Sequence, residues 1–155
     1  MAEKFSASTA TGVASGTNKT FLNLFNAAAT PINRGKLYEF TVSSVATPAD
    51  QACKVLVGRT TAVGTEGSGF TPNNLDPAGP AGSYDAGIGV FTGEPTYTAN
   101  KALYIVSLNQ RATFRWIAAP GSEMLMTATV SNGLGIKSSS STSTQAQEVT
   151  VLFEE

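Results

Sequence analysis

Histidine is absent from this 155-residue chain, cysteine occurs once, and only 14% of the residues carry charge. Without histidine the sequence lacks the side chain that most often serves as general base or metal ligand, so the Ser/His, Cys/His and His-zinc arrangements are excluded. The single cysteine, Cys53, rules out an intramolecular disulfide. It heads the apolar run Ala52-Cys53-Lys54-Val55-Leu56-Val57 and reads as a small half-buried apolar side chain rather than a reactive thiol. Charge is nearly balanced as well as scarce, with ten Lys+Arg against eleven Asp+Glu for a net −1. A nucleic-acid binder needs a basic excess to displace counterions, and this chain has none. The N-terminus, Met1-Ala2-Glu3-Lys4-Phe5-Ser6, lacks the roughly 7–15 apolar residues of a secretory signal. No window reaches the roughly 18 apolar residues of a membrane span. A soluble chain is expected, with no nucleic-acid or membrane partner and no cofactor or metal.

What is present is hydroxyl groups and short apolar segments. Fifteen serines and twenty threonines make the polar surface largely uncharged, which permits close packing against a neighbour without like-charge repulsion. The length suits one domain, with roughly 70% of the unfolded chain's surface buried on folding. Residues 1–18 are small and hydroxylated, without a sustained period, and read as an extended N-terminal arm or a free tail. Phe5 and Val13 are the only sizeable apolar groups that could anchor it.

From Lys19 the texture changes to that of a single domain over residues 19–155. In Leu37-Tyr38-Glu39-Phe40-Thr41-Val42-Ser43 the alternation puts Tyr38, Phe40 and Val42 on one face. Val149, Val151 and Phe153 do the same, as do Met124, Met126, Ala128 and Val130, while Phe114 and Trp116 turn inward beside an outward Arg115. Further strands are expected over 20–25, 54–60, 102–108 and 135–139. About eight strands with turn signals between them, and no helical period, predict an all-β fold. The expected form is an antiparallel β-sandwich, jelly-roll-like, with an immunoglobulin-like connection order as the alternative. Residues 64–101 read as a long loop excursion. Its prolines, Pro72, Pro77, Pro80 and Pro95, favour an ordered loop laid on a neighbour. Residues 138–145 read as a hairpin tip joining the last two strands.

The residues that could carry chemistry are few. Gly64, Gly67 and Gly69 lack the Gly-Lys-Ser/Thr and helix start of a phosphate loop, and Gly87-Ile88-Gly89 lacks the helix of a dinucleotide site. Asp76, Asp85, Glu66 and Glu94 lack the density of a calcium site. Two carboxylates meeting in space, as in a small hydrolase, are not excluded by spacing. Catalytic, cofactor-binding and metal-binding residues are therefore assigned to none. Candidate partner contacts are Phe5 and Val13 in the arm, Pro72, Asp76 and Pro77 in the long loop, and Arg111 and Glu154 as rim charges.

From about residue 36 onward the chain resembles a group of small structural proteins of tailed bacteriophages. The resemblance is carried by Leu37-Tyr38-Glu39-Phe40, by Thr71-Pro72-Asn73-Asn74-Leu75-Asp76-Pro77, and above all by Gly93-Glu94-Pro95-Thr96-Tyr97-Thr98-Ala99 with Leu108-Asn109-Gln110-Arg111-Ala112-Thr113-Phe114-Arg115-Trp116-Ile117-Ala118-Ala119-Pro120-Gly121. Residues 1–35 fall outside it. The resemblance implies a capsid decoration, or cement, protein: a β-sandwich on the exterior of the virion, bound to the major capsid protein and often a homotrimer. It carries over no catalytic residue. The same fold could serve a tail or fibre protein or a carbohydrate-binding module, which would need Tyr84, Tyr97 or Trp116 exposed for sugar stacking.

Overall fold

A computed structural model describes residues 2–9, 13–14, 18–30, 33–45, 47–66, 68–139 and 146–155. Among them there is no helix. The strands are β1 (Lys4–Ser8), β2 (Val13–Ala14), β3 (Thr20–Asn26), β4 (Lys36–Ser44), β5 (Ala52–Ala62), β6 (Ser68–Phe70) and β7 (Asn73–Asn74), followed by β8 (Tyr84–Ile88), β9 (Thr96–Asn109), β10 (Phe114–Ile117), β11 (Met124–Leu125), β12 (Gly133–Ser138) and β13 (Ala146–Glu154). They form two antiparallel sheets packed face to face as a β-sandwich. One sheet runs β10-β4-β13-β1-β7, with β11 on β4 and β2 on β13; the other runs β6-β8-β3-β12-β5-β9.

Alternation in the sequence builds the core between them. Val149, Val151 and Phe153 of β13 face Leu22, Leu24, Ile136 and Val57 from the other sheet within one buried cluster. Tyr84 lies in the same layer. Its hydroxyl is satisfied there, accepting from the Gly35 amide at 2.9 Å and donating to the Thr127 carbonyl at 3.3 Å.

Five expectations are corrected. The first half of the supposed arm is a core strand: β1 pairs with β13 on one side and β7 on the other, and Phe5, 1% exposed, stacks on Phe153 at 5.3 Å between ring centres. The short run Phe5-Ser6-Ala7 buries its two apolar groups by period 2, and a five-residue strand is enough for that. The 64–101 segment is likewise no excursion, because β6 and β8 extend one sheet and β7 the other. Third, Tyr38 leaves the inner face. The register of β4 on β13 slips so that Leu152 faces Glu39 while Phe153 faces Leu37, and this bulge puts Leu37 into the core in place of Tyr38. Fourth, strand β11 stops at Leu125. Met126 is still buried, but Asn132 donates back to the Thr129 carbonyl at 3.1 Å in a turn with Ser131 at φ 65°, leaving Val130 outside. Finally, β12 and β13 belong to opposite sheets and form no hairpin; residues 140–145 of the expected tip lie outside the described residues.

Candidate functional site

The two sheets end on the same lateral side with β9 and β10, and an aromatic cluster closes the gap between them. Tyr104 of β9 meets Phe114 and Trp116 of β10, each at 6.0 Å, and Phe40 of β4 lies beneath, stacked on Trp116 at 5.4 Å. The alternation read in Phe114-Arg115-Trp116 is observed: the rings pack inward, and Arg115 turns out to form a two-pronged pair with Glu39 at 2.7 and 3.0 Å. Those bonds from the guanidinium hold the Glu39 carboxyl below its ordinary value of 4.5.

Outside the cluster the surface is apolar where an edge is normally guarded. Strand β9 has fourteen residues, roughly 45 Å at about 3.3 Å per residue. Its run Ala102-Leu103-Tyr104-Ile105-Val106 is apolar on both faces. Tyr104 and Val106 pack inward, which leaves Leu103 at 37% and Ile105 at 49% exposure on the outer face of that sheet, while Ile117 of β10, turned outward from the other sheet, is 56% exposed. A strand apolar on both faces ordinarily sits inside a sheet, covered on either side. Here it is at the edge, and among the described residues nothing pairs with its outer side. Soluble proteins blunt such edges with charge, proline or bulges.

A bulge is present, at the N-terminal half of β9. Gly58 faces Ala102 but Thr60 faces Tyr97, so β9 spends three more residues than β5 over this stretch, with Asn100 in the left-handed region at φ 56°. The bulge walls a cleft of about 600 Å³ on the outer face of the sheet, with Leu56, Ile105 and Tyr97 as its apolar lining and Lys101 and Lys137 at its rim. Tyr97 lies flat across Gly58 and Gly135, where a β-carbon on Gly135 would collide with the phenol. Its hydroxyl bonds Thr20 Oγ1 at 3.0 Å, and Lys137 Nζ sits 4.3 Å above its ring. Burial pushes the Tyr97 phenol above its ordinary value. Beside it Glu94 accepts from the Thr20 amide at 2.9 Å and pairs with Lys19 at 3.4 Å.

The residues expected to contact a partner do not converge. Phe5 is corrected to a core residue, and Pro72 is buried as well. Val13 pairs through its backbone with Gln147, and its side chain lies outside the description. Asp76 and Pro77 are exposed together in the turn after β7. Arg111 sits in the turn that joins β9 to β10, donating to the Pro48 carbonyl at 3.3 Å and lying 3.9 Å from Asp50. Glu154 is held by Lys36 at 2.9 Å. Sequence reasoning missed Leu103, Ile105 and Ile117; the signal was the doubly apolar run 102–106, which marks a covered strand but does not say whether this chain or another covers it. The aromatics that a sugar would stack on are taken. Tyr84 is in the core, Trp116 is stacked on Phe40, and the Tyr97 ring lies beneath Lys137. Among the described residues no three of His, Cys, Asp or Glu converge. No known family model, curated protein or solved structure matches the chain.

Proposed function

We propose that this is a structural, non-enzymatic virion protein that decorates the exterior of a bacteriophage capsid and stabilises it by binding across major capsid protein subunits. The observation that carries the reading is the apolar pair of edge strands β9 and β10, with Leu103 and Ile105 exposed on the outer face of one sheet, Ile117 on that of the other, and no strand paired beyond the apolar run of β9 among the described residues. Such an edge is suited to adhesion: main-chain groups can extend a neighbour's sheet while the apolar side chains dock. A protein that binds the assembled shell but not its separated subunits stabilises the shell by mass action, without turnover. The sparsely charged, hydroxyl-rich surface fits dense packing on a lattice, and a homotrimer would match a three-fold site. The jelly-roll connection order belongs to the same reading. Cryo-electron microscopy of the particles tests it, comparing virions made with and without the gene. Density for the sandwich on the head exterior, and heads that open at lower temperature without it, are expected. Heads with bare exteriors and unchanged heat resistance contradict it, and density on the tail would move the chain to the fibre class.

A further inference from the structure

One protrusion of the molecule complements the β9 cleft in apolar character and charge. The turn after β7 carries Leu75 at its tip, 51% exposed, next to the exposed Asp76. It is rigidly built. Asn74 Oδ1 accepts from the Asp76 amide at 2.8 Å, Asp76 Oδ1 accepts from the Ala78 amide at 2.9 Å, and Asn74 Nδ2 donates to the Pro80 carbonyl at 2.9 Å. The Leu75 amide is tied to the Lys4 carbonyl of β1 at 2.8 Å. A leucine and a carboxylate are thus presented by a turn whose ordering cost is met on folding, not on binding. Glu3, within 3.5 Å of Asn74 Nδ2, adds to the negative charge of this end.

The cleft offers the converse. Its lining is apolar at Leu56, Ile105 and Tyr97, and its rim carries Lys101 and Lys137. Neither lysine, nor Asp76, makes an ion pair among the described residues. Strand order then decides who can meet whom. The turn hangs on β7, the last strand of one sheet, whereas the cleft is on β9, the last strand of the other. The contact of Tyr104 with Phe114 and Trp116 puts β9 on the β10 side, opposite β7. Several strands at about 4.8 Å each separate knob and cleft, so a molecule cannot fill its own cleft.

We propose that the Leu75–Asp76 turn of one copy docks into the β9 cleft of a second copy of this chain, Leu75 against Leu56 and Ile105 and the Asp76 carboxylate between Lys101 and Lys137. This names the self-association partner within the adhesive reading above, and rests on that reading. Knob and cleft are different surfaces, so the contact is head-to-tail; it closes into a ring when its rotation allows and otherwise continues as a filament. Leu103 and Ile117 stay outside it, free to face the shell.

Sedimentation velocity of the full-length protein at low and high salt tests the proposal. The wild type is expected to form a discrete oligomer that loosens with salt. Asp76→Asn keeps the turn's acceptor but removes the charge, and should weaken assembly about tenfold, equivalent to about 1.4 kcal/mol. Leu75→Ser and Lys101→Glu alter exposed positions and should weaken it at least as much, while the double variant Lys101→Glu/Asp76→Lys should assemble better than Lys101→Glu alone. Circular dichroism melts confirm that each variant is folded. A wild type that stays monomeric at concentrations on the order of 100 µM, or an oligomer that none of these changes affects, overturns the proposal. A monomer that still binds heads overturns it while leaving capsid decoration standing; a ring that responds to the variants yet ignores heads does the reverse.

Discussion

Arg115 and Glu39 show how a surface pair on an outward face reports on the strand beneath it. The guanidinium lowers the Glu39 carboxyl, chiefly through its hydrogen bonds, from the ordinary value of 4.5. A carboxyl lowered in the folded state contributes stability above its unfolded value and loses that contribution as pH falls through the folded one. Removing the partner with Arg115→Gln should therefore lower the melting temperature most above about pH 5, with the gap to wild type closing as pH drops below 4. Thermal melts across that range check this, and a gap of constant size contradicts it. The inward rings and outward arginine of Phe114-Arg115-Trp116 were legible because period 2 runs through them undisturbed. Tyr38 was not, because one extra residue opposite Leu152 and Phe153 reverses the faces, and a bulge of that kind leaves no mark in the pattern of apolar residues.

At the scale of elements, β1 and β9 mark the limits of reading a chain without its pairings. Lys4-Phe5-Ser6-Ala7-Ser8 is too short and too rich in small residues to stand out, yet it fills the place between β13 and β7 and puts Phe5 against Phe153. Losing one buried phenylalanine costs about 3–5 kcal/mol. That is a large part of the roughly 5–15 kcal/mol that holds a domain together. A chain lacking residues 2–9 also leaves an edge of β13 unpaired, and should lose its near-ultraviolet circular dichroism and cooperative melt. If it keeps both, residues 4–8 belong to an arm and not to the core. Strand β9 was legible as a strand over 102–108, but its extension to Thr96 passes through the Asn100 bulge, where alternation fails for three residues. The cleft is made by that failure of pattern. Its residues therefore could not be assembled from the sequence, although Tyr97 was singled out there.

Across the whole molecule, the two lateral sides differ in character. One ends in β7 with the Leu75–Asp76 turn and Glu3; the other ends in β9 and β10 with exposed isoleucine and leucine and, on the cleft, two lysines that make no ion pair among the described residues. Composition alone conveyed the small net charge and the wealth of hydroxyls, but not this polarity, because the two ends are built from residues far apart in the chain. A molecule with complementary sides and an apolar edge is organised for contact. If, as we propose, the β9–β10 edge grips a capsid shell, cosedimentation of the purified protein with heads prepared without it will show it. Saturable binding by the wild type is expected, with a loss of about tenfold or more when Leu103→Lys and Ile117→Lys are combined, two exposed positions whose change leaves the core intact. Wild-type protein that remains in the supernatant, or a double variant that binds as well as the wild type, would contradict it.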